Sequence, residues 1–144
     1  MVRYNSAEFP TGPAMFTDQI KKQYHQVFKP FIDGHSRGQY ELMTTPPPAR
    51  LISNVNLVPK VGAEWLIILD DNGNWDIPGG TLEPGETYMD AIQREMQEEA
   101  GAKIWNFQLF SALHYISSAP EPYRPHLPHP DFYRVIGVGR SEER

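Results

Sequence analysis

The chain has 144 residues, a formal net charge of −5 and no cysteine. This length fits one domain with a buried core, and the lack of thiols excludes disulfides, thiolate nucleophiles and cysteine-based zinc sites. The acidic balance argues against long nucleic acid as a partner, because such partners are usually bound by a basic face.

The N-terminal third is predicted to hold an irregular arm at 1–15 and one helix. Thr17 is a candidate N-cap, and the helix is expected to run to about Phe28, ahead of Pro30. Apolar residues at a spacing of four predict a packing stripe on it: Phe16, Ile20, Tyr24 and Phe28. The segment 31–48 lacks a clear period and ends in three prolines, so it is predicted to be a connection.

Two strands are predicted between residues 49 and 71. In the first, alternation places Leu51, Ser53, Val55 and Leu57 on one face and Ile52, Asn54 and Asn56 on the other. The second, 64–69, is a continuous apolar run that suggests burial on both faces. The sequence DDNGN at 70–74 is typical of a turn, WDIP is a candidate short strand, and Pro78-Gly79-Gly80 is expected to break regular structure.

The second half of the chain alternates clear patterns with one proline-rich segment. A helix is predicted after Thr87 up to about Ala100, with Gly101 as its C-terminal stop and with Met89, Ile92 and Met96 as its apolar stripe. Strands are predicted at 102–116 and 131–140. Residues 117–130 contain five prolines and are therefore predicted to form a long loop.

Three glutamates crowd into five positions of the predicted helix: Glu95, Glu98 and Glu99. At 100° per residue their carboxylates fall in one sector of about 100°, and like charges at these spacings repel. Taken alone, the cluster fits a solvated acidic face. The alternative is a hard divalent cation, because Mg²⁺ and Mn²⁺ prefer carboxylate and carbonyl oxygens. Gly80 could add its backbone carbonyl, and Arg94 could hold a carboxylate bidentately.

These residues together resemble the Nudix box. The resemblance covers Gly80 to Ala102, and all seven fixed positions of the box are filled: Gly80, Glu86, Arg94, Glu95, Glu98, Glu99 and Gly101. Of the two bulky apolar positions, Met96 fits and Ala102 is small. Trp75 and the IPGG that precedes the box also look like the family. Outside these 23 residues the similarity is one of pattern only.

The resemblance implies an α/β protein, with a Nudix-type α/β/α sandwich around a mixed sheet. It implies metal-dependent hydrolysis of the diphosphate linkage in a nucleoside diphosphate joined to another group, with water attacking phosphorus. Mg²⁺ or Mn²⁺ would be held by the Gly80 carbonyl, Glu95, Glu98 and Glu99. Glu95, Glu98 and Arg94 are the predicted catalytic residues, with Arg94 orienting Glu95. Glu86 would support the ligands from behind or begin the helix.

The general base and the substrate contacts are less defined by the resemblance. Glu95 is one candidate base, and Glu121 and Asp131 remain open. The loop 117–130 is expected to border the site and could place Tyr123, Arg124, His126 or His129 near a base or phosphate, with Glu121 as a further candidate substrate contact. Its histidines, His126 and His129, are too few for a metal site and are expected to be exposed to solvent. The loop also faintly resembles a proline-rich motif of an NADH-cleaving subgroup, whose Trp is absent here.

The domain is expected to span 49–144, after an N-terminal arm and helix at 1–48, and its C-terminal part is short for the family. Either a strand and helix are missing, or the N-terminal helix or a partner chain takes their place. A small nucleotide is the expected partner, with no membrane, and a homodimer is possible. No signal peptide is recognised, and with the lack of cysteine this predicts a cytoplasmic protein. The alternative function is a non-catalytic nucleotide-binding or regulatory module.

Overall fold

The computed structural model of the chain describes residues 3–5 and 18–141. The candidate cap Thr17 and most of the predicted arm lie outside the described residues. Two helices are described, α1 (Asp18–Gln23) and α2 (Tyr88–Ala100). The strands are β1 (Arg3–Asn5), β2 (Phe31–Asp33), β3 (Ser36–Leu42), β4 (Ile52–Val61), β5 (Glu64–Leu66), β6 (Ile68–Leu69), β7 (Trp75–Asp76), β8 (Gly79–Thr81), β9 (Ile104–Ser117) and β10 (Asp131–Ser141).

The described strands form a mixed sheet, which confirms the α/β prediction. Its order is β1-β5-β4-β10-β9-β3-β2, with β8 paired to β4 beside this path. The pair β4 and β10 is parallel and the other pairs are antiparallel. Strands β6 and β7 form a separate two-stranded hairpin. Because β4 pairs with both β8 and β10, it lies between the glycine-rich segment and the last strand.

The helix α2 packs against β4 and β8 and covers one face of the sheet. Its side chains Ala91, Ile92 and Met96 are fully buried, and they meet Val55, Leu57 and Val135 from the sheet in one core. Met89, which was predicted to belong to the apolar stripe, is 36% exposed. Alternation along β4 confirms that Ser53, Val55 and Leu57 share a buried face, and Ile52 is buried as well.

Both ends of α2 follow local rules. Thr87 is the N-cap and forms a capping box with Asp90, so orphan backbone N–H groups at the start find acceptors. Gly101 adopts φ 63°, the left-handed conformation that ends a helix at little cost for glycine. The predicted bounds of this helix are therefore confirmed at both ends.

Three predicted elements are wrong. Residues 31–42 form the hairpin of β2 and β3, which adds to the sheet beside β9, so this segment is no mere connection. Gly79 and Gly80 do not break regular structure, because β8 pairs with Asn54–Asn56 of β4. The apolar run at 64–69 is divided between β5 and β6, and Leu69 is 54% exposed.

The N-terminal part also differs from expectation. Residues 3–5 form β1 within the predicted irregular arm. Helix α1 ends at Gln23 instead of continuing to Phe28, and Tyr24 is 54% exposed, so the predicted packing stripe is not buried. A helix of six residues that lies mostly in solvent does not supply the extra layer suggested for the N-terminal segment. The division of the chain at residue 49 stays a proposal.

Candidate active site

The guanidinium of Arg94 is the centre of the acidic cluster. Its Nε and Nη2 donate to the two carboxylate oxygens of Glu86 at 2.7 and 3.0 Å, a bidentate pair. Its Nη1 donates to Glu95 at 2.8 Å and, more weakly, to Glu98 at 3.4 Å. Its Nη2 also donates to the Thr81 carbonyl oxygen at 3.2 Å. One cation therefore links the helix, the loop before it and strand β8.

The bidentate partner of Arg94 is Glu86 and not Glu95. Glu86 also accepts the backbone N–H of Glu83 at 2.7 Å, and its side chain is 17% exposed. The hydrogen bonds from Arg94 hold the pKa of Glu86 below its usual range, although burial opposes this shift. The same contacts with Glu86 raise the pKa of Arg94 above its usual range, so the pair stays charged. In the structure Glu86 thus precedes the helix and holds Arg94.

Gly80 lies directly against the carboxylate of Glu95. A Cβ at position 80 would overlap Oε1 and Cδ of Glu95 and would lie 3.1 Å from its Cγ. The side chain of Glu95 is 14% exposed and is held from the other side by Arg94. Only glycine leaves room for this arrangement, which brings the backbone of β8 beside a helical carboxylate.

Glu99 and Glu98 occupy more open positions on the same helix. Glu99 Oε2 accepts the backbone N–H of Gly79 at 3.1 Å. Partial burial of its carboxyl raises the pKa of Glu99; the bond from Gly79 opposes the rise, and the nearby charges of Glu95, Asp76 and Glu98 add to it. The side chain of Glu98 is 58% exposed. Negative charge at this end of the cluster is therefore poorly compensated by the protein.

The donors in this cluster fit a hard divalent cation. They are all oxygens, and Arg94 neutralises mainly the side that faces Glu86. Within residues 3–5 and 18–141, however, no three His, Asp or Glu side chains are already arranged around a common metal position. Mg²⁺ is commonly bound through one or two carboxylates, with waters and substrate phosphates completing its shell. An open set of carboxylates is therefore suitable for a cation that binds with its substrate.

A cavity of about 540 Å³ adjoins the cluster through Thr81. The carbonyl of Thr81 accepts from Arg94, whereas its Oγ1 accepts from Asn54 Nδ2 at 2.9 Å in the wall of the cavity. The floor comes from β4 and β10, and a wall comes from the loop 117–130. Its volume lies in the range of small-molecule sites, about 300–1,000 Å³. The lining includes Ser53, Asn54, Glu121, Tyr123, Phe132 and Arg134.

The loop residues nominated from the sequence take different places. Glu121 and Tyr123 line the cavity, and Tyr123 is 82% exposed. Arg124 lies outside the lining, 3.5 Å from Glu83 and 5.5 Å from the Tyr123 ring. His126 is exposed but donates Nε2–H to the Leu82 carbonyl at 2.7 Å, which ties the loop to the segment after β8.

Two further expectations concern His129 and Asp131. His129 is half-buried and lines the cavity, so the expectation that it is exposed to solvent is wrong. Asp131 is not among the residues that line the cavity. Its carboxylate lies 2.6 Å from His114 Nε2, and His114 Nδ1 lies 3.2 Å from Glu41. Asp131 is therefore bound to His114 and is not among the lining residues of the cavity.

Sequence reasoning missed the floor of the cavity, and above all Arg134. This residue lies in β10 opposite Asn54 of β4, and both are half-buried. The available signal was polar residues within apolar strands: Asn54 and Asn56 in one, and Arg134 between Tyr133 and Val135 in the other. Such a pattern fits a sheet with a polar cavity on one face.

The described residues contain no helix that is both long and apolar enough to cross a membrane.

Comparison with known proteins gives partial matches over the box and its surroundings. The chain is 42% identical over 67 residues to human 8-oxo-dGDP phosphatase NUDT18, covering 39% of this chain and 20% of that protein. It is 48% identical over 40 residues to the 8-oxo-dGTP diphosphatase of Escherichia coli (strain K12), covering 28% and 31%.

A crystal structure of a mutant of the Bacillus subtilis pyrophosphohydrolase BsRppH superposes with a TM-score of 0.59 at 19% identity, over 80% of this chain and 66% of that one. This likeness shows the fold. The chain spans less than half the length of the two curated relatives above. A family model described as NUDIX domain matches residues 64–143, more than half of the 144-residue chain. The chain therefore belongs to the NUDIX domain family.

Proposed function

We propose that this protein hydrolyses the diphosphate linkage of a nucleoside diphosphate joined to another group, with Mg²⁺ or Mn²⁺ as cofactor. The observation that carries the proposal is the placement of Glu95 and Glu99 against the backbone of β8, with Arg94 holding Glu95 and the cavity beginning at Thr81. A nucleotide can then lie in the cavity with its diphosphate beside the carboxylates. The names of the two relatives make oxidised guanine nucleotides natural first substrates to test.

The cation would be held by the Gly80 carbonyl, Glu95, Glu98 and Glu99. When bound, such an ion neutralises diphosphate oxygens and makes water a better nucleophile near neutral pH. Without it the cluster repels an anionic substrate, because only Arg94 opposes its charge among the contacts described. Partial burial raises the pKa of Glu99, and the nearby carboxylates of Glu95, Asp76 and Glu98 add to the rise. A bound cation would relieve the repulsion among these carboxylates, which supports this assignment.

The protein's own groups would then orient water and accept its proton. Glu95 is fixed by Arg94 and by the absence of a side chain at Gly80, so it can hold one geometry during the reaction. Glu121 lines the cavity and remains the alternative base. Asp131 is a weaker candidate, because it is bound to His114 and does not line the cavity.

A cytoplasmic location, which the lack of cysteine suggests, is part of this proposal. A homodimer is also a proposal. No long nucleic acid is expected as a partner, because the net charge is −5.

A turnover panel tests the function. The native chain is incubated with dinucleotides, sugar nucleotides and normal and oxidised nucleoside di- and triphosphates, with Mg²⁺ or Mn²⁺ present. We expect turnover of at least one class and its loss in Glu98→Gln. The matched control is Glu64→Gln, in strand β5 away from the cluster, which should keep full turnover. Tight nucleotide binding without turnover would instead support the non-catalytic module, and equal turnover by Glu98→Gln would refute the assigned role.

A further inference from the structure

The cavity floor carries a cation that the proposed chemistry does not use. Among the lining residues that the structure describes, Arg134 is the one with a permanent positive charge. Its Nε is buried and has no hydrogen-bond partner among the residues that the structure describes. Buried donors normally have partners, because leaving one unpaired is costly. Because the buried Nε is closed to a ligand, acceptors on a bound molecule would pair with the remaining guanidinium nitrogens of Arg134, which lines the cavity.

Arg134 lies away from the diphosphate end of the site. In the sheet, Arg134 is opposite Asn54, and Asn54 is opposite Thr81. Two strand spacings of about 4.8 Å separate the backbones of Thr81 and Arg134, roughly 10 Å. Gly80, which lies against Glu95, is the residue before Thr81 on β8 and pairs with Val55, so the carboxylates lie on the β8 side of β4 and Arg134 on its β10 side. A nucleotide whose diphosphate lies at the carboxylates would therefore bring a different part of itself to Arg134.

The surroundings of Arg134 suit an aromatic base. Phe132 is two residues earlier on β10, so it shares the same face of the strand and also lines the cavity. Tyr123 contributes a second ring from the loop. Rings of this kind stack on nucleobases, and a guanidinium can donate two parallel hydrogen bonds to acceptors on a base edge.

We propose that Arg134 reads the base and selects purines with a carbonyl at C6 over adenine. Guanine presents acceptors at O6 and N7, whereas adenine presents a donor amino group at C6 that would face the donors of Arg134. An oxidised guanine keeps the C6 carbonyl as an acceptor but carries a hydrogen on N7, so it would accept one hydrogen bond from Arg134 instead of two. This inference rests on the proposed nucleotide substrate, and it assigns base selection to a residue outside the Nudix box.

The test compares guanine and adenine nucleotides that carry the same phosphates. In the native protein, kcat/KM should favour guanine at least tenfold. Arg134→Met should lose about ten- to a hundredfold with guanine, in line with the value of a bidentate base contact, and stay within about threefold with adenine. Arg134→Lys keeps the charge without the fork, and should also lose the preference. Arg140→Met is the matched control, because Arg140 is exposed on the same strand and outside the cavity lining.

An equal loss with both bases would overturn the proposal and assign Arg134 to phosphate. An unchanged preference in both variants would also overturn it. If Arg134→Met fails to fold, as judged by circular dichroism, the Lys variant decides the question.

Equilibrium binding separates this inference from the proposed function. Titrations of GDP and ADP into the native chain and the Arg134 variants, followed by calorimetry, need no turnover. Preferential GDP binding that depends on Arg134, with no hydrolysis, would refute the function and keep the base assignment. Turnover without a base preference would keep the function and refute the assignment. Absence of both binding and turnover would refute both.

Discussion

Replacing Arg94 by methionine should destabilise the fold by about 2–3 kcal/mol. The substitution keeps most of the apolar stem of the side chain but removes the cation. It leaves Glu86 and Glu95, with side chains 17% and 14% exposed, without their shared donor. Removing one partner of a fully buried ion pair costs about 3–5 kcal/mol. Because the Arg94 side chain is itself 27% exposed, water can replace part of what is lost, which lowers the expected cost.

The free energy of unfolding can be measured by urea denaturation at neutral pH and low salt. Arg94→Met, Glu86→Gln and the double variant form a cycle whose coupling energy should be about 1–2 kcal/mol, because the two side chains share two hydrogen bonds. Arg140→Met, on an exposed arginine, should change the free energy by less than about 0.5 kcal/mol. A loss below that value for Arg94→Met, or full additivity with Glu86→Gln, would refute the central position given to this arginine.

Three further predictions follow from individual contacts. The difference in free energy of unfolding between the native chain and Arg94→Met should shrink at acid pH. Arg94 lowers the pKa of Glu86 in the folded state, so this stabilisation is present above the ordinary glutamate pKa of about 4.3 and is lost as pH falls through the lower folded pKa. A difference that stays constant from neutral pH to pH 3 would contradict this prediction. Gly80→Ala should reduce kcat about ten- to a hundredfold, because the new Cβ displaces Glu95 from Arg94 and a charged hydrogen bond is worth about 1.5–3 kcal/mol. In a Glu95→Gln background the same substitution should add little. A kcat of Gly80→Ala within twofold of the native value would contradict this prediction. His126→Ala should raise KM about fivefold with kcat unchanged, because the loop loses its hydrogen bond to the Leu82 carbonyl, which is worth about 1 kcal/mol. An unchanged KM would show that this hydrogen bond does not position the loop.

Local sequence rules predicted the helix that carries the glutamates. Thr87, Gly101 and the apolar spacing of Ile92 and Met96 act within a few residues of each other, so they can be recognised without the tertiary fold. The turn at 70–74 is likewise local: Asp70 accepts the backbone N–H groups of Asn72 and Asn74. These local features correctly predicted the helix on which Glu95, Glu98 and Glu99 lie.

Features that depend on strand pairing were missed. The dipeptide Asp33-Gly34 marks the hairpin of β2 and β3, and Gly34 has φ 57°, but β2 is short and mostly exposed and only one residue of β3 is buried. Gly79 and Gly80 become a strand because β4 offers free backbone groups beside them, which no local pattern announces.

The partners within the site also depend on distant parts of the chain. The sequence placed Arg94 next to Glu95, and adjacency suggested that pair as the bidentate one. The folded chain instead brings Glu86, eight residues earlier, to the fork of the guanidinium. Arg134 could not be linked to the box from sequence, because its position follows from the parallel pairing of β10 with β4, 80 residues away at Asn54.

The most direct test of the account is whether the glutamate cluster binds a divalent cation. Mn²⁺ titrated into the native protein, followed by calorimetry with and without a non-hydrolysable nucleotide, should show saturable binding that is weakened at least tenfold in both Glu98→Gln and Glu99→Gln. The control variant Glu64→Gln, in strand β5, should bind as the native chain does. No binding at millimolar Mn²⁺ with nucleotide present, or equal affinity in all four proteins, would contradict the account.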